Sequence, residues 1–230
     1  MRKIPDSIAH KYAREAFKDH FESQKAFDTF VKEIQPDRNR KKFLHIGTIY
    51  LFLVKCGDWT VNVEDSNAVI DYFTNSYKLV TLFSLIESLS TERYVDFFQW
   101  LNSKEPKRDF PLERKDLGVK YEEYKFEYGS IKKCKTFFEA LPSSEKASLV
   151  KSFTLKSGEL TIEEIASYLY NLRSKFVHEA EFILELGTIP HLVREDDSYT
   201  LVKLSLNDFM NVFESGIIEY FKIKPETDET

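Results

Sequence analysis

The sequence predicts an all-α protein. Apolar residues recur at spacings of three and four over most of its 230 residues, and glycine and proline are too few, at seven each, for a turn-rich β fold. The apolar fraction of 42% is sufficient for a sizeable core. The net charge of -5 excludes a protein that coats nucleic acid by bulk attraction, so any nucleic-acid site must be local.

Residues 1–64 predict an N-terminal helical appendage. An amphipathic pattern over residues 7–34 indicates one long helix that ends before Pro36. The uncharged stretch 43–54 indicates a buried helix and is shorter than the ~18 residues that suggest a membrane span. We therefore expect no membrane association, and the charged N-terminus does not resemble a signal peptide. Cys56 and Cys134 are too few for a disulfide framework, which favours a reducing, cytoplasmic location.

Residues 65–223 predict a second helical unit. A helix from about 65 to 90 is followed by another from Tyr94, and residues 102–118 contain two prolines without apolar periodicity, which indicates an inserted mobile loop. The remaining predicted elements are a helical stripe over 121–141, a short helix to about 153, a helix from the Thr161 capping box to about 186, a small hairpin between 188 and 204, a last helix capped by Ser205, and a flexible tail at 224–230.

The helix that begins at Ile162 carries the residues with the clearest chemical potential. Arg173 and His178 are five positions apart, so they lie about 140° apart around a helix. The face between them includes Tyr170 and Ser174. A face with an aromatic ring between two ionisable groups is best covered by another molecule, and a second copy of the chain is the simplest cover.

Glu87 lies on the apolar arc of the 65–90 helix. A carboxylate there is costly unless it is paired, and Arg173 and His178 are cations available on another core helix. We expect Glu87 to orient one of them. The alternative is that Glu87, one turn from the predicted helix end, extends into solvent.

These residues carry a family resemblance. The run YLYNLRSKFVHE, residues 168–179, resembles the signature helix of HEPN domains, in which an arginine is followed by a polar residue and then a histidine. The segment LVTLFSLIESL, residues 79–89, resembles the first core helix of that family, which often supplies an acidic residue. The similarity is closest to the Apea-like HEPN branch and extends over about residues 65–221. It implies a HEPN-like helical bundle.

Many HEPN proteins are metal-independent, cofactor-free endoribonucleases that act as dimers. The resemblance implies that His178 moves the proton of a ribose 2′-hydroxyl and that Arg173 stabilises the phosphorane, leaving a 2′,3′-cyclic phosphate. Ser174 occupies the polar position of the motif, although other residue types are more usual there. Tyr170 and Lys175 are expected to contact substrate. A toxin or defence role, with a cognate antitoxin or sensor protein, is a further implication.

Other interpretations remain open. The same helices fit a non-catalytic HEPN module that only dimerises or binds a partner protein or nucleotide. A zinc site at His178 is disfavoured because the spacing of two histidines on one helical face is missing. The densest basic cluster is either a solvated turn or a guide for RNA phosphates, and it contains Arg38, Arg40, Lys41 and Lys42.

Overall fold

The computed structural model describes residues 4–64, 67–90, 95–103, 114–155, 158–187, 189–195 and 198–223. It confirms a predominantly helical protein with one small antiparallel sheet. The helices are α1 (Asp6–Phe17), α2 (Gln24–Glu33), α3 (Asp37–Tyr50), α4 (Asn67–Ser88), α5 (Phe97–Ser103), α6 (Arg114–Tyr128), α7 (Ser130–Glu139), α8 (Ser143–Lys151), α9 (Ile162–Glu179) and α10 (Leu206–Ile223), and the strands are β1 (Phe153–Leu155), β2 (His191–Glu195) and β3 (Ser198–Val202).

The prediction of one helix over residues 7–34 is wrong. The chain leaves α1 through the 3₁₀ turn Lys18–His20. A new helix, α2, begins after its N-cap residue Ser23, whose Oγ accepts the Ala26 N–H at 3.2 Å. The break folds α2 back, so that the ring of Phe27 packs with both Phe21 and Phe43. Periodicity did not reveal this break because both helices present the same type of apolar stripe.

Close helix packing ties the N-terminal segment together. A Cβ at Gly47 of α3 would lie 2.8 Å from the Cβ of Ala13, so glycine permits α1 and α3 to approach closely. The predicted buried helix is confirmed, and it ends in a π-helical turn, Leu51–Lys55. Phe43 contacts Phe221 with centroids 5.4 Å apart, so the N-terminal helices share one hydrophobic core with α10. The division at residue 64 stays a prediction.

The central segment contains more helix than expected. Residues 102 and 103 belong to α5 and residues 114–118 belong to α6, while 104–113 lie outside the described residues. The predicted stripe over 121–141 is two helices, since the chain turns at Gly129 between α6 and α7. Trp100 donates its indole N–H to Glu127 at 2.7 Å and so links α5 to α6. The loop prediction failed at its ends because α5 finishes with the polar residues Asn102 and Ser103 and α6 begins with a charged first turn, so neither end shows apolar periodicity.

The last third of the chain contains α9, the small sheet and α10, and α9 packs mainly against α7 and α4. The Thr161–Glu164 capping box is present. The helix ends at Glu179 rather than near residue 186, because Ala180 adopts a left-handed conformation, with φ 58°, and the chain then turns so that Ile183 N–H donates to buried Ser76 Oγ at 3.1 Å. The predicted hairpin is β2–β3, and β1 extends it into a sheet of order β1-β3-β2. The predicted tail at 224–230 lies outside the described residues.

Candidate functional site

Helix α9 lies antiparallel to α4, and ring contacts fix their relative position. Tyr77 of α4 meets Phe176 of α9 at 5.3 Å between centroids, and Phe83 meets Tyr170 at 5.9 Å. The inner arc of α9 is buried because its apolar residues recur every three or four positions. This packing determines whether each polar side chain of α9 lies towards α4 or away from it.

Arg173 extends along the edge of that buried arc towards α4. Its Nη2 lies 3.4 Å from Oε1 of Glu87, and the two side chains are only 16% and 22% exposed. The predicted pairing of Glu87 with a motif cation is therefore confirmed, and the alternative of a solvated Glu87 is wrong. The pair is incompletely satisfied, since Glu87 Oε1 and Arg173 Nε are buried without a hydrogen-bond partner in the described part of the chain.

The carboxylate acts on its neighbours from α7 and α9. Burial, reinforced by the negative charge of Glu87, raises the pKa of the Cys134 thiol to about 12. The same two causes raise the pKa of Tyr170 above its ordinary value. The Cζ of Arg173 lies 5.5 Å from the centroid of the Tyr170 ring, which is cation–π distance. Arg173 thus sits between one carboxylate and one aromatic face.

His178 points to the other side of α9. Its side chain is exposed and lines a cavity of about 300 Å³ with Ser174 and Lys175, whose far wall includes Val193 of β2. The structure therefore brings three of the predicted residues together at this cavity. Within one chain Arg173 is not among its lining residues, so the arginine and the histidine flank α9 as their spacing predicts.

Sequence reasoning missed a groove that runs along the outer face of α9. A second cavity of about 510 Å³ adjoins the first, and both are lined by Tyr168 and Asn171. Lys135 of α7 and Thr200 of β3 border the second cavity. The polar residues of α9 at positions 167, 171, 174 and 178 recur at helical spacing, and this was the available signal. Such a stripe is usually a solvated face, so it did not stand out.

An exposed aromatic surface adjoins the Arg173 side. Phe73, Tyr77 and Val177 are all exposed, although they lie on the helices that pack the core. Trp59 stacks on Tyr77 with centroids 5.3 Å apart and extends the surface. On α9 this surface includes Val177, which lies between the Arg173 side and the His178 side. The face between these two residues was expected to be uncovered in a single chain.

The predicted basic cluster has mixed surroundings. Arg40 and Lys41 both pair with Asp37, and Arg38 is exposed. Lys42 instead donates to the Leu89 carbonyl at 3.0 Å, just beyond the end of α4. The cluster therefore lies at the same end of α4 as Glu87, although part of its charge already serves the fold.

Sequence reasoning also missed a buried polar cluster around Glu214 of α10. His20 Nε2 and Tyr50 Oη donate to its carboxylate at 2.8 Å and 2.5 Å, and Lys55 Nζ lies 3.1 Å away. Burial raises the pKa of Glu214, but these donors lower it by more, so the net direction is down. The signal was an acid inside the apolar stripe of the last helix.

Comparison of the chain with protein-family models, with curated proteins and with solved structures gives no match. Among the described residues, no group of three or more metal-ligating side chains is found. The helices in the described ranges include none with the length and apolarity required to cross a membrane.

Proposed function

We propose that the protein is a metal-independent endoribonuclease of the HEPN type that acts as a homodimer. One observation carries the proposal: α9 presents an arginine held by a partly buried carboxylate on one side and an exposed histidine in a polar groove on the other. The family resemblance, rather than the geometry, suggests a cytoplasmic toxin or defence effector controlled by a partner protein.

The proposed reaction is a transesterification, in which the phosphorus of the RNA backbone is transferred from the 5′-oxygen of one nucleotide to the 2′-oxygen of the preceding ribose. His178 accepts the 2′-hydroxyl proton as O2′ bonds to phosphorus, and the 5′-oxygen leaves when its bond to phosphorus breaks and it takes up a proton. The products are a 2′,3′-cyclic phosphate and a 5′-hydroxyl. Arg173 balances the charge of the phosphorane with a permanently charged planar group.

A dimer is part of the proposal for a geometric reason. Since Arg173 and His178 lie on different sides of α9, one chain alone does not surround a phosphate with both. Two copies that cover each other's exposed aromatic surface would place both motifs along one cleft. Phe73, Tyr77 and Val177 supply the apolar area for such a contact.

Substrate contacts are assigned by position. Lys175 and Ser174 line the cavity of His178, so they would meet the phosphate or ribose there. Tyr170 borders Arg173, so it would contact the nucleotide bound there. Arg38 is an exposed cation of the basic cluster at the start of α3, where Arg40, Lys41 and Lys42 add local positive charge to a negatively charged chain.

The test is incubation of the purified protein with total RNA in EDTA, followed by mapping of the product ends. We expect cyclic phosphate and 5′-hydroxyl ends, and we expect His178→Ala and Arg173→Ala to abolish them while the circular dichroism spectrum is unchanged. His45→Ala is the matched control, since His45 is exposed on α3. Equal RNA degradation by the wild type and the double variant would refute the proposal.

A second function, a non-catalytic interaction module, is favoured by the surroundings of Arg173. The guanidinium is mostly buried and already contacts Glu87 and Tyr170, which suits a structural role. In that case no cleavage occurs, while Arg173→Ala lowers stability and His178→Ala leaves it unchanged. The same RNA assay combined with thermal unfolding separates the two functions.

A further inference from the structure

The cavity that adjoins the His178 cavity is not used by the proposed reaction. Its volume of about 510 Å³ lies within the ~300–1,000 Å³ typical of small-molecule sites. It lies between the outer face of α9 and the sheet, since Ser167 and Asn171 of α9 line one side and Thr200 of β3 lines another. Asn171 also lines the His178 cavity, so the two cavities meet at this residue.

The charges around this second cavity do not suit a phosphate. Its lining includes the carboxylates of Glu163 and Glu164 and one cation, Lys135. Hydrogen bonds from the Thr161 N–H and hydroxyl hold the pKa of Glu164 below its ordinary value, so this carboxylate stays ionised near neutral pH. Lys135 Nζ lies 4.0 Å from Glu163 Oε2, the outer limit of an ion pair. Two carboxylates and one ammonium favour a neutral ligand over an anion.

The polar groups of α9 in the second cavity are mainly hydrogen-bond acceptors. The Ser167 hydroxyl donates to the Glu163 carbonyl at 2.8 Å, so its oxygen is left to accept. The Glu163 carboxylate can only accept. A complementary ligand therefore offers N–H donors. Asn171 and Lys135 supply donors for its carbonyl or ring-nitrogen atoms.

Apolar groups complete the lining of the second cavity. The Tyr168 ring lines it and is held edge-to-face against Phe153 of β1, with centroids 5.6 Å apart. Leu160, just before α9, adds an aliphatic contact. A planar ligand suits such a lining, because its faces contact apolar groups while its polar edge meets the acceptors.

We propose that the second cavity binds one unpaired nucleobase of the RNA, and that it selects bases with an exocyclic amino group, which are adenine, cytosine and guanine, over uracil. That the ligand is a base rests on the proposed ribonuclease function. Asn171 and His178 are seven residues apart, so they lie about 10 Å apart along α9, and the nucleotide next to the reacting ribose spans this distance. A base in this cavity is removed from any duplex, so the substrate class is single-stranded RNA.

The first experiment measures the binding of nucleosides, which carry no phosphate, to the full chain by isothermal titration calorimetry. We expect adenosine and cytidine to bind about tenfold more tightly than uridine, because uracil lacks the amino group that Glu163 would accept. Asn171→Leu should weaken cytidine binding about tenfold, since leucine forms no hydrogen bond. Asn62→Leu is the matched control, because Asn62 is exposed between α3 and α4, and it should leave binding unchanged.

Three results of the titration would overturn the proposal. They are the absence of nucleoside binding, equal affinities for cytidine and uridine, and equal weakening by Asn171→Leu and Asn62→Leu.

The second experiment compares single-stranded and duplex RNA of one sequence as substrates in EDTA. We expect the single strand to be cleaved about tenfold faster or more, and Asn171→Leu to raise KM more than it lowers kcat. Equal cleavage of both forms, or an unchanged KM in Asn171→Leu, overturns the base site and leaves the ribonuclease function standing. Selective nucleoside binding without RNA cleavage refutes the ribonuclease function and supports the base site.

Discussion

Glu214 on α10 and Glu87 on α4 both lie on the apolar side of a core helix, yet their surroundings differ. The Glu214 carboxylate receives hydrogen bonds from His20 and Tyr50 and contacts Lys55, and its side chain is 4% exposed. Within the described part of the chain, Glu87 has one ion pair, with Arg173 at 3.4 Å, and its Oε1 lacks a hydrogen bond there. One acid is saturated with donors, and the other is not.

The difference indicates different roles. A saturated buried polar cluster fixes one arrangement of the chain, and here it ties the N-terminal helices to α10. An unsatisfied buried pair is an exception that requires an explanation, and a ligand that completes its hydrogen bonds is one. We therefore interpret Glu214 as structural and the Glu87–Arg173 pair as part of a site.

The largest expected effect is on stability when Glu214 is removed. Glu214→Ala leaves the fully buried Tyr50 hydroxyl without its acceptor and should lower the free energy of unfolding by about 3 kcal/mol. Urea denaturation measures the change. Glu219→Ala, on the same helix, loses only a surface pair with Lys222 and should cost about 0.5 kcal/mol or less. Similar losses for both variants would remove the structural role of Glu214.

Lowering the pH should also destabilise the protein through the Glu214 cluster, by less than Glu214→Ala does. Since the folded-state pKa of Glu214 is below its ordinary value of 4.5, its ionised form contributes stability fully above that pH. The contribution is lost as the pH falls through the lowered pKa. Between about pH 6 and about pH 3, the free energy of unfolding should therefore decrease more steeply for the wild type than for Glu214→Gln. Parallel curves would show that other groups dominate acid unfolding.

Loss of the Lys42 contact should cost about 1 kcal/mol. Lys42→Met keeps the aliphatic stem but removes the donor to the Leu89 carbonyl at the end of α4. Lys41→Met is the control, because Lys41 forms a surface ion pair with exposed Asp37 at 2.7 Å, and it should be neutral within about 0.5 kcal/mol. Thermal unfolding compares the two. A neutral Lys42→Met would free this residue for a role in RNA binding.

The smallest stability effect is expected at Glu87, together with a functional effect. Glu87→Gln keeps the shape and removes a charge that makes no good hydrogen bond, so the cost should be below about 1 kcal/mol. If Glu87 positions Arg173, the variant loses RNA cleavage out of proportion to stability, whereas Glu214→Gln loses stability and keeps cleavage. A Glu87→Gln protein with unchanged cleavage would contradict the positioning role.

Some of the fold was readable from local chemistry. The start of α9 is set by Thr161 and Glu164 within one turn, and the start of α10 is set in the same way by Ser205 and Asp208. These bonds need no distant partner, so the residues alone predict them. The hairpin was also predicted, but its third strand, β1, was not, because Phe153 pairs with the distant Val202.

The candidate site likewise has features that the sequence predicted and features that depend on distant contacts. The 140° separation of Arg173 and His178 follows from helical geometry, and the pairing of Glu87 with one of these two cations was predicted from a carboxylate on an apolar arc. Only the structure shows that the partner is Arg173. The polar stripe of α9 was visible in the sequence, but the groove around His178 was not, because its far wall is Val193 of another element. Which predicted residues meet depends on how helices and sheet pack.

The sequence by itself determined the helical class, two capped helix starts and the angle between Arg173 and His178, because these depend on interactions within a few residues. Tertiary structure alone decided the break after Phe17, the end of α9 at Glu179, the cluster around Glu214 and the outer position of β2. Each of these depends on contacts between residues far apart in the chain. The spacing of residues along the chain does not specify such contacts, because they form only when the core packs.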